Sequence, residues 1–408
     1  MSGSDKIVIA GAAQAGGRAA QAMRSAGYEG RILLTGEETW LPYERPPLSK
    51  ALIAGGERHE AVRLHDPDYY ESHRIETLLG APVERIDSAG RTVRVDGADI
   101  AYDRLLLATG ARVRRLPAPG VDLPGVRYLR TLDDSFAIRE ALVPGTRVAV
   151  VGGGFIGLEI AASARKRGCE VTVIEATDRL MGRAVAPEIG AWFAAMHRAK
   201  GVDIRLGAGV ERFDGTGKLA HVTLVGGEEI PCDLAIVGIG IIPNSDIAME
   251  AGLEVENGIV VDAHGRTSDP HIWAAGDVAN QPSVLLGRNL RLESYENAQN
   301  QGTAVGRNMV SDETKPHEDR LWVWSDQFDV NLQMIGVPDG CDEIVHRGEP
   351  TEEGFAVFYL AGGKVVAANT INLGREMRSI ERVVAARAEI SPDQLADLGV
   401  NLRKLMRG

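Results

Sequence analysis

Short apolar runs recur along the chain, each followed by a glycine-rich break. Lys6–Ala10 leads into Gly11-Ala12-Ala13-Gln14-Ala15-Gly16 and an alanine-rich segment that stops at Gly27. Arg147–Val151 leads into Gly152-Gly153-Gly154-Phe155-Ile156-Gly157 and on to Arg167, closed by Gly168. A second apolar run follows each time, Arg31–Leu34 and Val171–Ile174. Buried-strand runs alternating with helical spacing predict strand, turn, helix, strand twice over. Tyr102–Gly110, Asp233–Gly240, Ile259–Asp262 and His271–Asp277 read as further strands, three of them ending in small residues that let the backbone come close to a neighbour. Beyond about Lys315, LWVWSDQFDVNLQMIG and GFAVFYLAGGKVVAANTIN alternate apolar and polar residues, which predicts an antiparallel sheet. Arg375–Ala388 then reads as a helix.

The two glycine breaks carry chemistry. In the second, Gly152 permits a tight turn, Gly154 lets a pyrophosphate approach the backbone, and Gly157 lets helix and strand pack closely. The first helical turn, with Phe155 and Ile156, offers free N–H groups to phosphates. Glu175, 23 residues after Gly152, can bind both hydroxyls of an adenosine ribose and would repel a 2′-phosphate, so NADH is favoured over NADPH. The first break repeats the plan with Gly11, Ala13, Ala15 and Gly16, and Glu37 as its acid. Its middle glycine has become Ala13, which crowds a pyrophosphate slightly without excluding it. Two boxes about 140 residues apart imply two nucleotides, most economically FAD in the first and NADH in the second.

Composition narrows the classes. The chain has 408 residues, 44% hydrophobic and 25% charged, enough for two or three domains. No apolar run reaches the ~20 residues of a membrane span. MSGSDK runs straight into a strand with no visible signal peptide. Cys169, Cys232 and Cys341 are scattered, which fits a reducing cytoplasm and argues against a metal cluster or redox disulfide. The formal charge of −12 disfavours nucleic acid as a partner.

Tyr43-Glu44-Arg45-Pro46-Pro47-Leu48-Ser49-Lys50 resembles the signature loop of NADH-dependent, FAD-containing ferredoxin reductases that serve oxygenases. Pro46-Pro47 stiffens the loop and suits a helix start after Arg45. No cysteine precedes Cys169, which excludes a thiol relay of the glutathione reductase kind. The resemblance spans the chain. It implies a glutathione-reductase-like α/β flavoprotein with two Rossmann-like nucleotide-binding domains: an FAD domain in two parts, 1–110 and 242–316, around an inserted NAD domain, 111–241, and a C-terminal α+β domain, 317–408. It assigns Arg45, Lys50, Val83, Ala108, Thr109, Gly110, Arg130, Asp277, Glu293, Tyr295 and Trp324 to the FAD side, and Arg183 and Gly240 to the NAD side. A tryptophan is common at position 295 in the dioxygenase branch, and Tyr295 departs from it. Lys50 and Glu159 are the candidates for shaping hydride transfer.

The implied activity is transfer of a hydride from NADH to FAD, then of single electrons to a 2Fe–2S ferredoxin that supplies a cytochrome P-450 or Rieske oxygenase. Reduction of rubredoxin or an ascorbate radical, an NADH oxidase or peroxidase, and a flavin-bearing interaction protein like apoptosis-inducing factor are the alternatives. Ferredoxins of this kind are usually acidic, so docking on a chain of −12 needs a local basic patch. Arg375, Arg378 and Arg382 share one helical face, with Arg307 and Arg63 as the next candidates.

Overall fold

The computed structural model describes residues 5–56, 58–284, 286–317 and 321–405. The chain forms two compact units. One comprises residues 1–47, 57–114 and 240–319, the other 48–56, 115–239 and 320–408.

The first unit is built on a five-stranded parallel sheet ordered Ile272–Ala274, Arg104–Leu107, Lys6–Ala10, Arg31–Gly36, Ile75–Leu79. Ile7, Val8, Ile9, Leu105, Leu106 and Leu107 are all fully buried, as parallel strands covered on both faces require. The helix Gln14–Ser25 follows the first strand. Gly27 ends it in a left-handed turn at φ +84°, with Tyr28 N–H donating back to the Met23 carbonyl. Two short strands, Ala111–Val113 and Ile241–Pro243, pair antiparallel where the chain leaves this unit and returns.

The second unit repeats the plan. Its parallel sheet runs Val202–Leu206, Glu170–Glu175, Arg147–Val151, Leu234–Val237, Val126–Tyr128. The helix Phe155–Lys166 follows the Arg147 strand. The same unit holds an antiparallel sheet ordered Trp322–Gln327, Val330–Gly336, Lys364–Ile371, Phe355–Ala361, Glu343–Arg347, as the alternation predicts. Its outer face is covered by the helix Met377–Ala385 through Ile380, Val383 and Val384. That helix is shorter than the sequence suggests. Arg375 lies in the turn before it, and Arg387 turns left-handed at φ +45°, so Ala388 N–H closes onto the Val383 carbonyl instead of continuing the helix.

Candidate functional site

The two glycine boxes have the same backbone frame. Gly11 N–H donates to the Thr35 carbonyl at 2.7 Å, and Gly152 N–H to the Ile174 carbonyl at 2.8 Å. Both glycines have positive φ, +125° and +112°. A Cβ on Gly11 would lie 2.0 Å from the Ala108 oxygen, and one on Gly152 2.4 Å from the Gly238 oxygen. The third glycines are just as constrained: a Cβ on Gly16 would come within 1.9 Å of the Gly11 oxygen, and one on Gly157 within 2.1 Å of the Gly152 oxygen. The middle position differs. A Cβ on Gly154 would meet nothing within 4 Å, so protein packing does not require glycine there. This explains how the first box carries Ala13, in an extended conformation, with its fold intact.

Neither box helix has a side-chain cap, so its first-turn N–H groups stay available to an anion. Other helices are capped, by Thr131, Ser294 and Ser391. In the first turn of the first box, the buried Gln14 amide has no hydrogen-bond partner on either polar atom. Open space at Gly154, free N–H groups and an orphaned amide together fit a bound phosphate-bearing cofactor. Phe155 is half-buried, while Ile156 is 46% exposed.

The acids differ between the boxes. Glu175 Oε2 accepts from Gly153 N–H at 2.7 Å, and Oε1 accepts from the Thr177 N–H and hydroxyl at 2.8 and 2.7 Å. The sheet register pairs Ala10 with Thr35 and Val151 with Ile174, so Gly36, not Glu37, matches Glu175. A side chain at Gly36 would strike Ala12, whose own methyl fills that space. Glu37 follows one residue later and is exposed. Exposed Arg183 lies past Glu175, and Arg179 donates to the Gly182 carbonyl at 2.7 Å.

Around the first box, Ala81 N–H donates to the Gly36 carbonyl and Thr35 donates its hydroxyl to the Ala81 carbonyl, so Ala81-Pro82-Val83 lies beside that strand end. Thr109 and Asn244 exchange two hydrogen bonds, at 2.8 and 2.9 Å, with Gly110 and Gly240 turning at positive φ beside them. Arg45 pairs with Glu38 at 2.6 Å, and Tyr43 also donates to Glu38. Asp277 follows the Ile272–Ala274 strand. Gln301 accepts from Gly276 N–H at 2.7 Å, and Arg291 holds both the Asp277 carbonyl and Glu293. Tyr295 opens the helix Tyr295–Val310 and donates to Glu44 at 2.6 Å. Burial and that carboxylate push its phenol above the usual range.

The second unit brings Lys50 and Glu159 together. Ser135 and Ser163 donate to the carbonyls of Leu48 and Ser49, each at 2.9 Å, and so pin the loop that carries Lys50. Glu159 is 3% exposed on the box helix. It accepts from the hydroxyls of Ser49 and Ser325, and Lys50 Nζ lies 3.4 Å from Oε1. Lys50 is also 3.2 Å from Asp326 and 5.3 Å from the Trp324 ring centre, which stacks on Trp322. Burial raises the Glu159 carboxyl above its ordinary range, opposed by Lys50 and the two hydroxyls. Arg130 precedes Thr131, whose capping box with Asp134 starts the helix Leu132–Ala141.

Sequence reasoning missed Ser49, Ser325, Asp326 and Gln14 as members of these sites. Ser325 alternates inward with buried Gln327, and a buried serine in a strand of that pattern was the available signal. The cysteines carry no redox pair. Cys169 and Cys232 are buried free thiols, the latter pushed up to about 12 by burial, and Cys341 is partly buried and free.

This frame, two glycine-turn units without a dithiol, defines a nucleotide-using oxidoreductase. The chain belongs to the pyridine nucleotide-disulphide oxidoreductase family, which matches residues 5–302, and a Reductase C-terminal domain matches residues 322–406. It is 40% identical to putidaredoxin reductase of Pseudomonas putida, over 100% of this chain and 98% of that one. It is 41% identical to the ferredoxin–NAD(+) reductase component of the biphenyl dioxygenase system of Paraburkholderia xenovorans, over 99% and 98% of the two chains. The crystal structure of a covalent putidaredoxin reductase–putidaredoxin complex superposes with a TM-score of 0.96 at 39% identity, over 100% and 99% of the chains. Among the described residues no helix is long and apolar enough to cross a membrane.

Proposed function

We propose that this protein is an NADH-dependent, FAD-containing ferredoxin reductase whose 2Fe–2S partner supplies an oxygenase of the cytochrome P-450 or Rieske type. The observation that carries the reading is two glycine-turn boxes of the same backbone frame in one chain of this family, with no cysteine pair to divert electrons to a disulfide. The names of relatives that match over the whole length support it. Bound FAD supplies the chemistry, taking two electrons as a hydride and releasing them singly.

The chain's own residues bind and orient. FAD is assigned to the first box, with Gly11, Ala13, Ala15, Gly16, Glu37 and Val83 on its adenosine half and Arg45, Ala108, Thr109, Gly110, Asp277, Glu293 and Tyr295 along the rest. Arg130 and Trp324 are assigned to FAD as well, and Lys50 and Glu159 to shaping the hydride-transfer site. NADH is assigned to Gly152, Gly154, Phe155, Ile156, Gly157, Glu175, Arg183 and Gly240. Glu175 selects against NADPH by repelling the extra phosphate. Lys50 keeps a positive charge fixed, shared between Glu159 and Asp326. On this reading residues 1–110 and 242–316 form the FAD domain, 111–241 the inserted NAD domain and 317–408 the C-terminal domain. The protein works in the cytoplasm, where its single thiols stay reduced. The ferredoxin meets the arginine face at Arg375, Arg378 and Arg382.

The test is NADH oxidation coupled to cytochrome c through a panel of purified 2Fe–2S ferredoxins. At least one ferredoxin should raise cytochrome c reduction well above the rate without it. No stimulation by any of them, with the flavin still reduced by NADH, would refute the reading.

A further inference from the structure

Several arginines of this chain answer to a carboxylate. Arg31 pairs with Glu76, Arg74 with Glu29, Arg147 with Asp233, and Arg205 with both Asp203 and Glu228. One cleft in the C-terminal sheet domain gathers arginines that do not. It has a volume of about 550 Å³ and is lined by Arg347, Arg375, Arg378, Arg382 and Arg403, with Glu376 as its one acidic group. Arg347 is 3% exposed. Its guanidinium donates to the carbonyls of Leu395, Asp397 and Val400 at 3.0, 2.6 and 2.9 Å, and its Nε lies 3.5 Å from Glu376. Arg347 therefore fixes the 395–400 turn as a rigid wall, and Glu376 is spent on it. The side chains of Arg375, Arg378, Arg382 and Arg403 make no ion pair among the described residues.

Four unpaired guanidinium groups around one concave space repel each other. A chain of net charge −12 has acids to spare for neutralising them, yet the lining holds only Glu376, which pairs with Arg347. The volume is that of a small-molecule site. Planar guanidinium forks match phosphate oxygens two at a time. At the edge stands Leu398, an apolar side chain 67% exposed, in position to meet an organic group attached to the phosphates.

We propose that this cleft is a binding site for a polyphosphate-bearing small molecule, separate from both glycine boxes. The inference stands on the cleft alone and does not depend on what docks at the same face. Pyrophosphate and ATP are the probes. Each is titrated by calorimetry into the FAD-loaded protein with excess NAD⁺ present to occupy the second box. Saturable binding of one probe molecule per chain is expected. The exposed pair Arg378→Gln/Arg382→Gln should weaken it at least about tenfold with an unchanged melting temperature, Arg378→Lys/Arg382→Lys should lose less, and Glu376→Gln should tighten it. ATP binding more tightly than pyrophosphate would assign an organic subsite at Leu398. Equal affinities would assign the binding to phosphate alone. No saturable binding of either probe, or binding undiminished in the Gln pair, would overturn the proposal.

Discussion

The two glycine boxes have nearly the same backbone and opposite allocations of space. In the second, Gly153 is bare and Glu175 fills the gap, its carboxylate held by Gly153 N–H and Thr177. In the first, Ala12 fills the gap, and the register-matched residue must be Gly36. The acid then falls one residue later, at exposed Glu37. The same contrast holds at the middle position, Ala13 against Gly154. The outer glycines and the place of the acid are set by the protein's own packing, while the middle position is left open by it. A box can vary in what it binds while keeping its turn.

The largest effects should come from breaking what the boxes share. Gly11→Ala forces a methyl to 2.0 Å from the Ala108 oxygen at φ +125°, and Gly152→Ala does the same against Gly238. Each should cost more than about 3 kcal/mol in denaturant unfolding. Equal stability to the parent would show that the turns relax. The two variants should also part company: the first loses FAD, and any folded fraction of the second keeps it.

Next in size is the buried pair of the second unit, which the first box lacks. Lys50→Met leaves the Glu159 carboxylate buried with only hydroxyls and should destabilise by about 3 kcal/mol at neutral pH. Adding Glu159→Gln should restore most of that, and failure to do so would mean the two side chains act separately. The pH dependence has a definite sign. Because burial raises the Glu159 carboxyl, the folded state holds its proton more tightly than the unfolded chain does. Its contribution is therefore fully present below the ordinary carboxyl range and is lost as pH rises through the folded value. Compared by urea unfolding, Glu159→Gln should gain on the parent as pH rises from about 4.5. A gain on acidification would reverse the assignment.

A smaller change is expected at the acids. Glu175→Ala should cut the preference for NADH over NADPH by about tenfold or more, measured as rates of anaerobic flavin bleaching. Glu37→Ala should leave that ratio alone and speed FAD release instead. Smallest of all, replacing Cys169, Cys232 and Cys341 together by alanine should leave ferredoxin-dependent turnover largely intact. Lost turnover with an intact flavin spectrum would give a thiol a role.

Much of this was readable in the chain. Two strand–glycine–helix–strand patterns and the antiparallel alternation after Lys315 come from local periodicity and spacing, Glu159 from its place on the box helix, and Lys50 from the resemblance of its loop to a family signature. What was hidden depends on register and on residues distant in sequence. Glu37 lies 26 residues after Gly11, close to the 23 that separate Glu175 from Gly152, so spacing alone treats them as equivalents. Only strand pairing shows that Gly36 takes the matching place. Ser49, Ser325 and Asp326 converge on one lysine and one carboxylate from loop and sheet, and no local pattern links them. Arg347 is likewise 28 residues before Arg375 and joins its cleft only through the fold.

The division of labour between the boxes can be tested at their one permissive position. A Cβ at Gly154 would meet nothing within 4 Å, so Gly154→Val should enter the space assigned to NADH with the fold kept. Flavin content and anaerobic reduction of this variant are measured beside Ala13→Val. The Gly154 variant should fold with a full complement of FAD that dithionite bleaches and NADH does not, while the Ala13 variant should purify largely without flavin. A Gly154→Val protein that has lost its FAD, or that NADH still reduces at the parent rate, would contradict the assignment of FAD to the first box and NADH to the second.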